Sequence, residues 1–263
     1  MKHSLMKKLD LILITVFPLI IFILVFCLNL RITYLQSLIL VFALPALYLS
    51  MRAKEKIKKV AWFSLIVSIP VAILVELVAY WDQAWVIPQS AFSFRLFGFS
   101  PIENYLWQFL TVYLILIFYE HFCNQKFQPE ISKKTRIMSA IIYPLTFIAI
   151  VLFAFKSPLL HISYPYIWFC IPFFIIPIIL FLGKYPTYFK SFLRVQLFFL
   201  YIHTLFEIIG VKFNHWVYSS EHYIGWVTLL GQRFPTEEFV FVMLFGAFAA
   251  CSYYEFFTNN DLN

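Results

Sequence analysis

Residues 74–86 read LVELVAYWDQAWV, and residues 205–217 read LFEIIGVKFNHWV. The two stretches align without a gap. Each places a glutamate, Glu76 or Glu207, inside an apolar run, and a tryptophan follows nine residues later. A shared pattern of this length indicates an internal repeat, which constrains the fold before any single motif is considered.

The match continues downstream of both stretches. Residues 101–104 read PIEN where residues 235–238 read PTEE, and FYE at residues 118–120 corresponds to YYE at residues 253–255. Three matches in the same order predict two similar halves, which we assign to residues 1–130 and 131–263.

The composition is that of a membrane protein. Hydrophobic residues make up 62% of the 263-residue chain and charged residues only 13%, against about 25% charged residues in a soluble domain. Eight apolar stretches are each about 17 to 22 residues long, enough to cross a hydrocarbon core of about 30 Å. They lie near Leu11–Leu28, Leu35–Met51, Val60–Tyr80, Ile102–Phe122, Ile137–Phe155, Tyr164–Leu182, Phe189–Gly210 and Thr236–Phe257. We therefore predict an all-α polytopic protein with eight transmembrane helices in two tandem four-helix repeats.

Four crossings in each half give the two repeats the same orientation, related by an axis along the membrane normal.

The basic residues predict which side of the protein faces the cytoplasm. With the N-terminus inside, fifteen of the 20 Lys and Arg residues fall on inner segments. The other five are Arg31, Arg95, Lys156, Lys212 and Arg233. The positive-inside rule then predicts that both termini are cytoplasmic, and we expect the membrane to be a bacterial or archaeal cytoplasmic membrane. Because the inner basic residues are dispersed, we expect no nucleic-acid partner; they are Lys2, Lys7, Lys8, Arg52, Lys54, Lys56, Lys58, Lys59, Lys126, Lys133, Lys134, Arg136, Lys184, Lys190 and Arg194.

Five carboxylates are predicted at one depth near the outer surface. Glu76 and Glu207 fall near the outer ends of the third and seventh helices, and Glu103, Glu237 and Glu238 begin the fourth and eighth from that side. An ionisable group in an apolar span is costly and indicates function. Apolar surroundings and a facing carboxyl both favour the protonated form, which would supply a proton donor. The alternative is that each group lies close enough to the interface to be solvated.

The Pro-x-Glu motifs also have a structural interpretation. Proline favours a first helical turn, and Ser100 with Glu103 has the spacing of a capping box. Capping explains the second copy less well, because two adjacent acids follow Pro235. For Glu120 and Glu255, at the inner ends of their helices, we expect an aqueous interfacial position.

Aromatic residues make up 21% of the chain, and interfacial belts are their usual explanation. The outer loops nevertheless place several aromatic residues beside the carboxylates. Aromatic faces stabilise a cation by roughly 0.5 to 2 kcal/mol each. We select Trp85, Trp216, Tyr218 and Trp226 as candidate substrate contacts.

The sequence lacks the motifs that several other classes of enzyme require. Only Asp10, Asp82 and Asp261 are present, so no paired-aspartate motif can hold Mg²⁺ on a diphosphate. Six scattered glycines form no dinucleotide loop. Val242 stands where a Glu-Glu-x3-Arg intramembrane protease has arginine. No His-Glu-x2-His motif occurs, and the histidines show no ligand spacing, so we expect neither metal nor cofactor.

These residues resemble the small membrane lycopene cyclases, carotenoid cyclases that occur as heterodimers or fused single chains. That family repeats an acid, a tryptophan nine residues later, an aromatic at Trp+2, a glycine, and then Gly-x-Pro-x-Glu-Glu. The second half matches at Glu207, Trp216, Tyr218, Glu221, Gly225, Gly231, Pro235, Glu237 and Glu238, and the first at Glu76, Trp85, Gly98, Pro101 and Glu103. The sequence departs from the family where Glu76 and Glu207 replace aspartate and where Asn104 replaces the second motif glutamate.

The resemblance implies a cofactor-independent isomerase (intramolecular lyase) that closes a β-type ring on a carotenoid or similar isoprenoid taken from the bilayer. A protonated carboxyl would protonate the terminal double bond, a neighbouring double bond would close the ring, and a carboxylate would remove a proton. Glu237 and Glu207 are then the candidate acid and base, with Glu76, Glu103 and Glu238 supporting them.

Two alternatives remain open. A non-catalytic binding or transport protein for a lipophilic ligand would keep the cavity without the proton transfer, and Asn104 favours it. An isoprenoid hydratase would share the protonation step and quench the cation with water.

Overall fold

The computed structural model describes residues 2–124 and 132–259, with side chains from residue 5. The boundary predicted between residues 130 and 131 lies outside the described residues, as do Lys126 and Asp261. Eight helices in the described chain are long and apolar enough to span a membrane. They are α1 (Leu5–Cys27), α2 (Tyr34–Arg52), α3 (Lys54–Asp82), α4 (Ile102–Phe122), α5 (Lys133–Ala154), α6 (Pro165–Lys184), α7 (Pro186–Lys212) and α8 (Glu238–Thr258). The predicted all-α, multi-pass architecture is confirmed; the orientation of the termini stays a prediction.

Helices α4 and α7 are the most buried of the eight. Over their most apolar stretches, 72% and 67% of residues are buried, against 11% for α5 and 17% for α6. The low buried fractions place α5 and α6 at the periphery of the bundle. Their exposed apolar side chains therefore face lipid. Helix α2, at 50%, is buried as much as α3 and α8, at 44% each.

The repeat is visible in irregular backbone as well as in sequence. The second helix of each half contains a π-helical segment, Ile39–Ala43 in α2 and Ile171–Ile175 in α6. The third helix of each half opens with a 3-10 turn, Lys54–Lys56 in α3 and Pro186–Tyr188 in α7. Local departures from α geometry at matching positions support the two-half organisation.

A short antiparallel hairpin precedes the last helix of each half. The first pairs β1 (Arg95–Leu96) with β2 (Ser100–Pro101). The second pairs β3 (Trp226–Leu229) with β4 (Gln232–Pro235). Leu230 and Gly231 both have positive φ in the second turn, the geometry of a two-residue hairpin turn that favours glycine. Each hairpin thus delivers a proline to the start of α4 or α8.

At the C-terminal ends of α4 and α8, the two halves exchange side-chain hydrogen bonds. The Tyr119 hydroxyl donates to Glu255 Oε1 over 2.8 Å, and the Tyr254 hydroxyl donates to Glu120 Oε1 over 2.6 Å. Lys56 Nζ lies 3.0 Å from Glu120 Oε2. Both glutamates are buried, so the aqueous interfacial position predicted for them is wrong. Sequence position at a helix end did not reveal that the facing helix supplies a tyrosine to each carboxylate.

Candidate functional site

The first-half site is built around Glu76, which is buried near the C-terminal end of α3. Its Oε1 accepts hydrogen bonds from Trp85 Nε1 over 2.9 Å and from Asn104 Nδ2 over 2.6 Å. Its Oε2 accepts from the Ser100 hydroxyl. Three donors therefore satisfy this carboxylate. We call Glu76 and these three residues the first centre.

The capping box predicted for Ser100 and Glu103 is wrong. Ser100 is bonded to Glu76, and the N-cap of α4 has no side-chain hydrogen bond. Glu103 instead accepts from the Ala91 amide over 2.6 Å and from the Ser90 hydroxyl. A buried carboxylate that accepts from a preceding loop fixes that loop above the helix start.

Glu237 plays the corresponding part in the second half. Its Oε1 accepts from the backbone amide of Ile224, in the loop before β3. Glu237 is buried, and its Oε2 has no hydrogen-bond partner among the described residues. Glu103 and Glu237 thus share a loop-holding geometry, although the sequence placed them with the reacting acids.

The second-half site contains two carboxylates where the first has one. Glu207, 1% exposed, accepts from Trp216 Nε1 over 3.1 Å and from the Tyr218 hydroxyl over 2.7 Å. Glu238, 6% exposed, lies beside it, and its Oε1 is 3.4 Å from His203 Nε2. One ligand atom from each of His203, Glu207 and Glu238 lies within 4.8 Å of the other two. We call these three residues the second centre.

The two centres carry different titratable residues at equivalent positions. Asn104 in the first half corresponds to Glu238, and Ala72, four residues before Glu76, corresponds to His203, four residues before Glu207. An amide that donates to a carboxylate is thus replaced by a second carboxylate. In the described chain, neither Lys nor Arg forms an ion pair with Glu207 or Glu238. The second centre therefore holds two carboxyl groups and a histidine where the first holds a single carboxyl group.

Irregular helix geometry accompanies this difference. A π-helical segment, Glu238–Met243, begins at Glu238, whereas α4 is α-helical throughout. Such segments occur frequently at functional sites, because the extra residue re-aims the side chains of one turn.

A tyrosine connects each centre to the opposite half. The Tyr34 hydroxyl donates to Asn104 Oδ1 over 2.8 Å, and its ring packs edge-on against Trp216 with centroids 5.5 Å apart. Tyr166 lies close to Glu238, and its ring packs edge-on against Trp85 at 5.6 Å. The two centres are therefore neighbours joined by symmetry-related tyrosines, and both tyrosines are buried.

The predicted aromatic residues divide into two groups. Trp85 and Trp216 direct their indole N–H groups at Glu76 and Glu207, so they hold the carboxylates as well as lining the site. Burial, followed by the charge of Glu207, raises the pKa of Tyr218 well above its usual value, so its hydroxyl remains a donor. Trp226 is partly exposed on β3 and stacks with the Arg233 guanidinium at 4.4 Å.

Sequence reasoning missed His203 and Tyr166. A signal for His203 was present, because residues four apart share one face of a helix and His203 and Glu207 have that spacing. The histidines by themselves show no ligand spacing, so the pair is visible only when glutamate is also counted as a ligand. Tyr166 carries no signal of its own, since its position depends on how α6 packs against α8.

No known protein-family model matches the chain, and neither a curated protein nor a solved structure is significantly similar to it.

Proposed function

We propose that the chain is a membrane-embedded isomerase that closes a ring on a long isoprenoid of the lycopene type, with the second centre as the place of reaction. The observation that carries this proposal is the pairing of Glu207 with Glu238 in a buried site lined by aromatic rings. Two carboxylates this close repel each other unless they share a proton or a cation. A shared proton is what an acid–base reaction on a polyene requires.

The reaction balances without a cofactor. A protonated carboxyl of the pair adds its proton to the terminal double bond, leaving a tertiary carbocation. The neighbouring double bond attacks that cation, forming one C–C bond and a ring. The cation then loses a proton to the other carboxylate. No atoms are gained or lost overall, and the pair again holds one proton.

The surroundings of the pair suit a cationic intermediate. The rings of Trp216, Tyr218 and Tyr166 lie at the two carboxylates, and each aromatic face stabilises a cation by roughly 0.5 to 2 kcal/mol. The same residues exclude water, which would otherwise trap the cation as an alcohol. The lipophilic substrate would enter from the bilayer.

The other carboxylates receive supporting roles in this proposal. The Glu76 carboxylate accepts from three donors, which stabilise its ionised form, so in this proposal the first centre shapes the cavity. Glu103 and Glu237 hold the outer loops. We therefore assign the acid and base to Glu207 and Glu238, in place of the sequence-based pair of Glu237 and Glu207.

Co-expression of the full chain with a lycopene-producing pathway, followed by pigment chromatography, tests the proposal. Cyclic carotenoids support it. A hydroxylated product would indicate a hydratase. Unchanged lycopene that co-purifies with the protein would indicate a binding or transport protein, and either of these outcomes would overturn the proposed cyclisation.

A further inference from the structure

We infer that His203, Glu207 and Glu238 form a binding site for one divalent transition-metal ion. The inference depends on the geometry of the second centre and not on the cyclisation proposed above. A bound ion and a shared proton exclude each other at the two carboxylates, so the proposed reaction requires the ion-free centre.

The spacing of the ligand atoms fits a metal ion. His203 and Glu207 are four residues apart on α7 and present their side chains from one helix face, while α8 supplies Glu238. Ligand atoms about 2.1 Å from a tetrahedral ion lie about 3.4 Å from one another. His203 Nε2 and Glu238 Oε1 are 3.4 Å apart, longer than a typical N–H···O hydrogen bond of about 2.7 to 3.2 Å.

Charge and burial favour an ion in this position. Two carboxylates and a neutral imidazole carry a charge of −2, which one divalent cation cancels. All three residues of the site are buried. The His203 ring is enclosed by Phe199, Trp107 and Phe206, with centroids 5.1 to 6.3 Å away. Attraction between an ion and its ligands is strong where water is excluded.

The donor set indicates the class of ion. One imidazole nitrogen with two carboxylate oxygens suits Zn²⁺, Fe²⁺ or Mn²⁺ better than Ca²⁺, which takes six to eight oxygen ligands. Three protein ligands also leave a position open on a tetrahedral ion. The first centre provides an internal comparison, since Ala72 and Asn104 replace two of the three ligands there.

The test uses the full chain, purified in detergent after treatment with chelator, and Co²⁺ as the probe. We expect one equivalent of Co²⁺ per chain, with the visible absorption of a four-coordinate ion, and displacement by Zn²⁺. His203→Ala and Glu238→Gln should each weaken binding at least about tenfold. His222→Asn, which removes an exposed histidine paired with Asp82, is the matched control and should leave binding unchanged.

Folding is checked on the same samples by thermal unfolding. The double variant His203→Ala, Glu238→Asn imports the residues of the first centre, and it should fold but bind no ion. Absence of stoichiometric Co²⁺ binding by the parent chain would overturn the inference. Binding that survives in the folded double variant, or that is lost in His222→Asn, would overturn it equally. Because no substrate is present, failure here is distinguishable from failure of the proposed cyclisation.

Discussion

Asn104 donates its amide to Glu76 over 2.6 Å, while the equivalent Glu238 lies beside Glu207 with no donor group to offer when ionised. One substitution between the repeats thus separates a carboxylate satisfied by hydrogen bonds from a carboxylate pair that needs a proton or a cation. The two halves share a fold but differ in the residues that surround the repeated glutamate.

Replacing Asn104 with leucine should destabilise the protein. The change removes a donor from the buried Glu76 and the acceptor of the Tyr34 hydroxyl. A lost partner for a buried polar group costs about 1 to 3 kcal/mol, so the midpoint of thermal unfolding in detergent should fall. Gln108→Leu, on the same helix, is the control, and equal effects of the two changes would contradict the role of Asn104.

Replacing Gly210 with alanine should displace Trp216 from the second centre. An added Cβ would lie 2.0 Å from the Trp216 ring, and overpacking of this kind commonly costs about 1 to 3 kcal/mol. Gly183 has no atom within 4 Å of the same position. Gly183→Ala should therefore leave unfolding and tryptophan fluorescence unchanged, whereas Gly210→Ala should alter both. Identical behaviour of the two variants would contradict the close approach of the Trp216 ring to Gly210 on α7.

The crossed pairs at the C-terminal ends of α4 and α8 should couple the two halves. Tyr119→Phe and Tyr254→Phe each remove a donor from a buried glutamate on the facing helix, at a cost of about 1 to 3 kcal/mol. Because both pairs join α4 to α8, the double variant should depart from additivity. Exposed Tyr143→Phe serves as the control. Unfolding unaffected by either single change would contradict the pairing.

Val86 and Val217 provide a direct test of how the segments that follow α3 and α7 meet. Their backbone N–H and C=O groups exchange two hydrogen bonds of 2.8 Å, which places the Cα atoms about 5.5 Å apart. This separation suits a disulfide. In a background without the four native cysteines, Val86→Cys with Val217→Cys should oxidise to an intramolecular cross-link. The absence of a cross-link, with both single variants reactive toward thiol reagents, would contradict this contact.

The sequence was informative where chemistry is local. Apolar stretches predicted all eight helices, and the Glu-x8-Trp repeat predicted both carboxylates that accept from an indole. It failed where packing between helices decides. Glu120 and Glu255 are buried because the opposite half supplies Tyr254 and Tyr119. His203 joins Glu238 only because α7 and α8 pack together.

Product formation by two matched variants shows which half of the protein carries the reaction. Glu238→Gln keeps the size of the side chain but cannot share a proton with Glu207, so cyclic carotenoid should fall about 10²- to 10⁴-fold, the usual contribution of general acid–base catalysis. Glu76→Gln makes the same change in the first centre and should retain most of the activity. Both variants must be present in the membrane at parent levels. An active Glu238→Gln beside an inactive Glu76→Gln would contradict the assignment of the reaction to the second half.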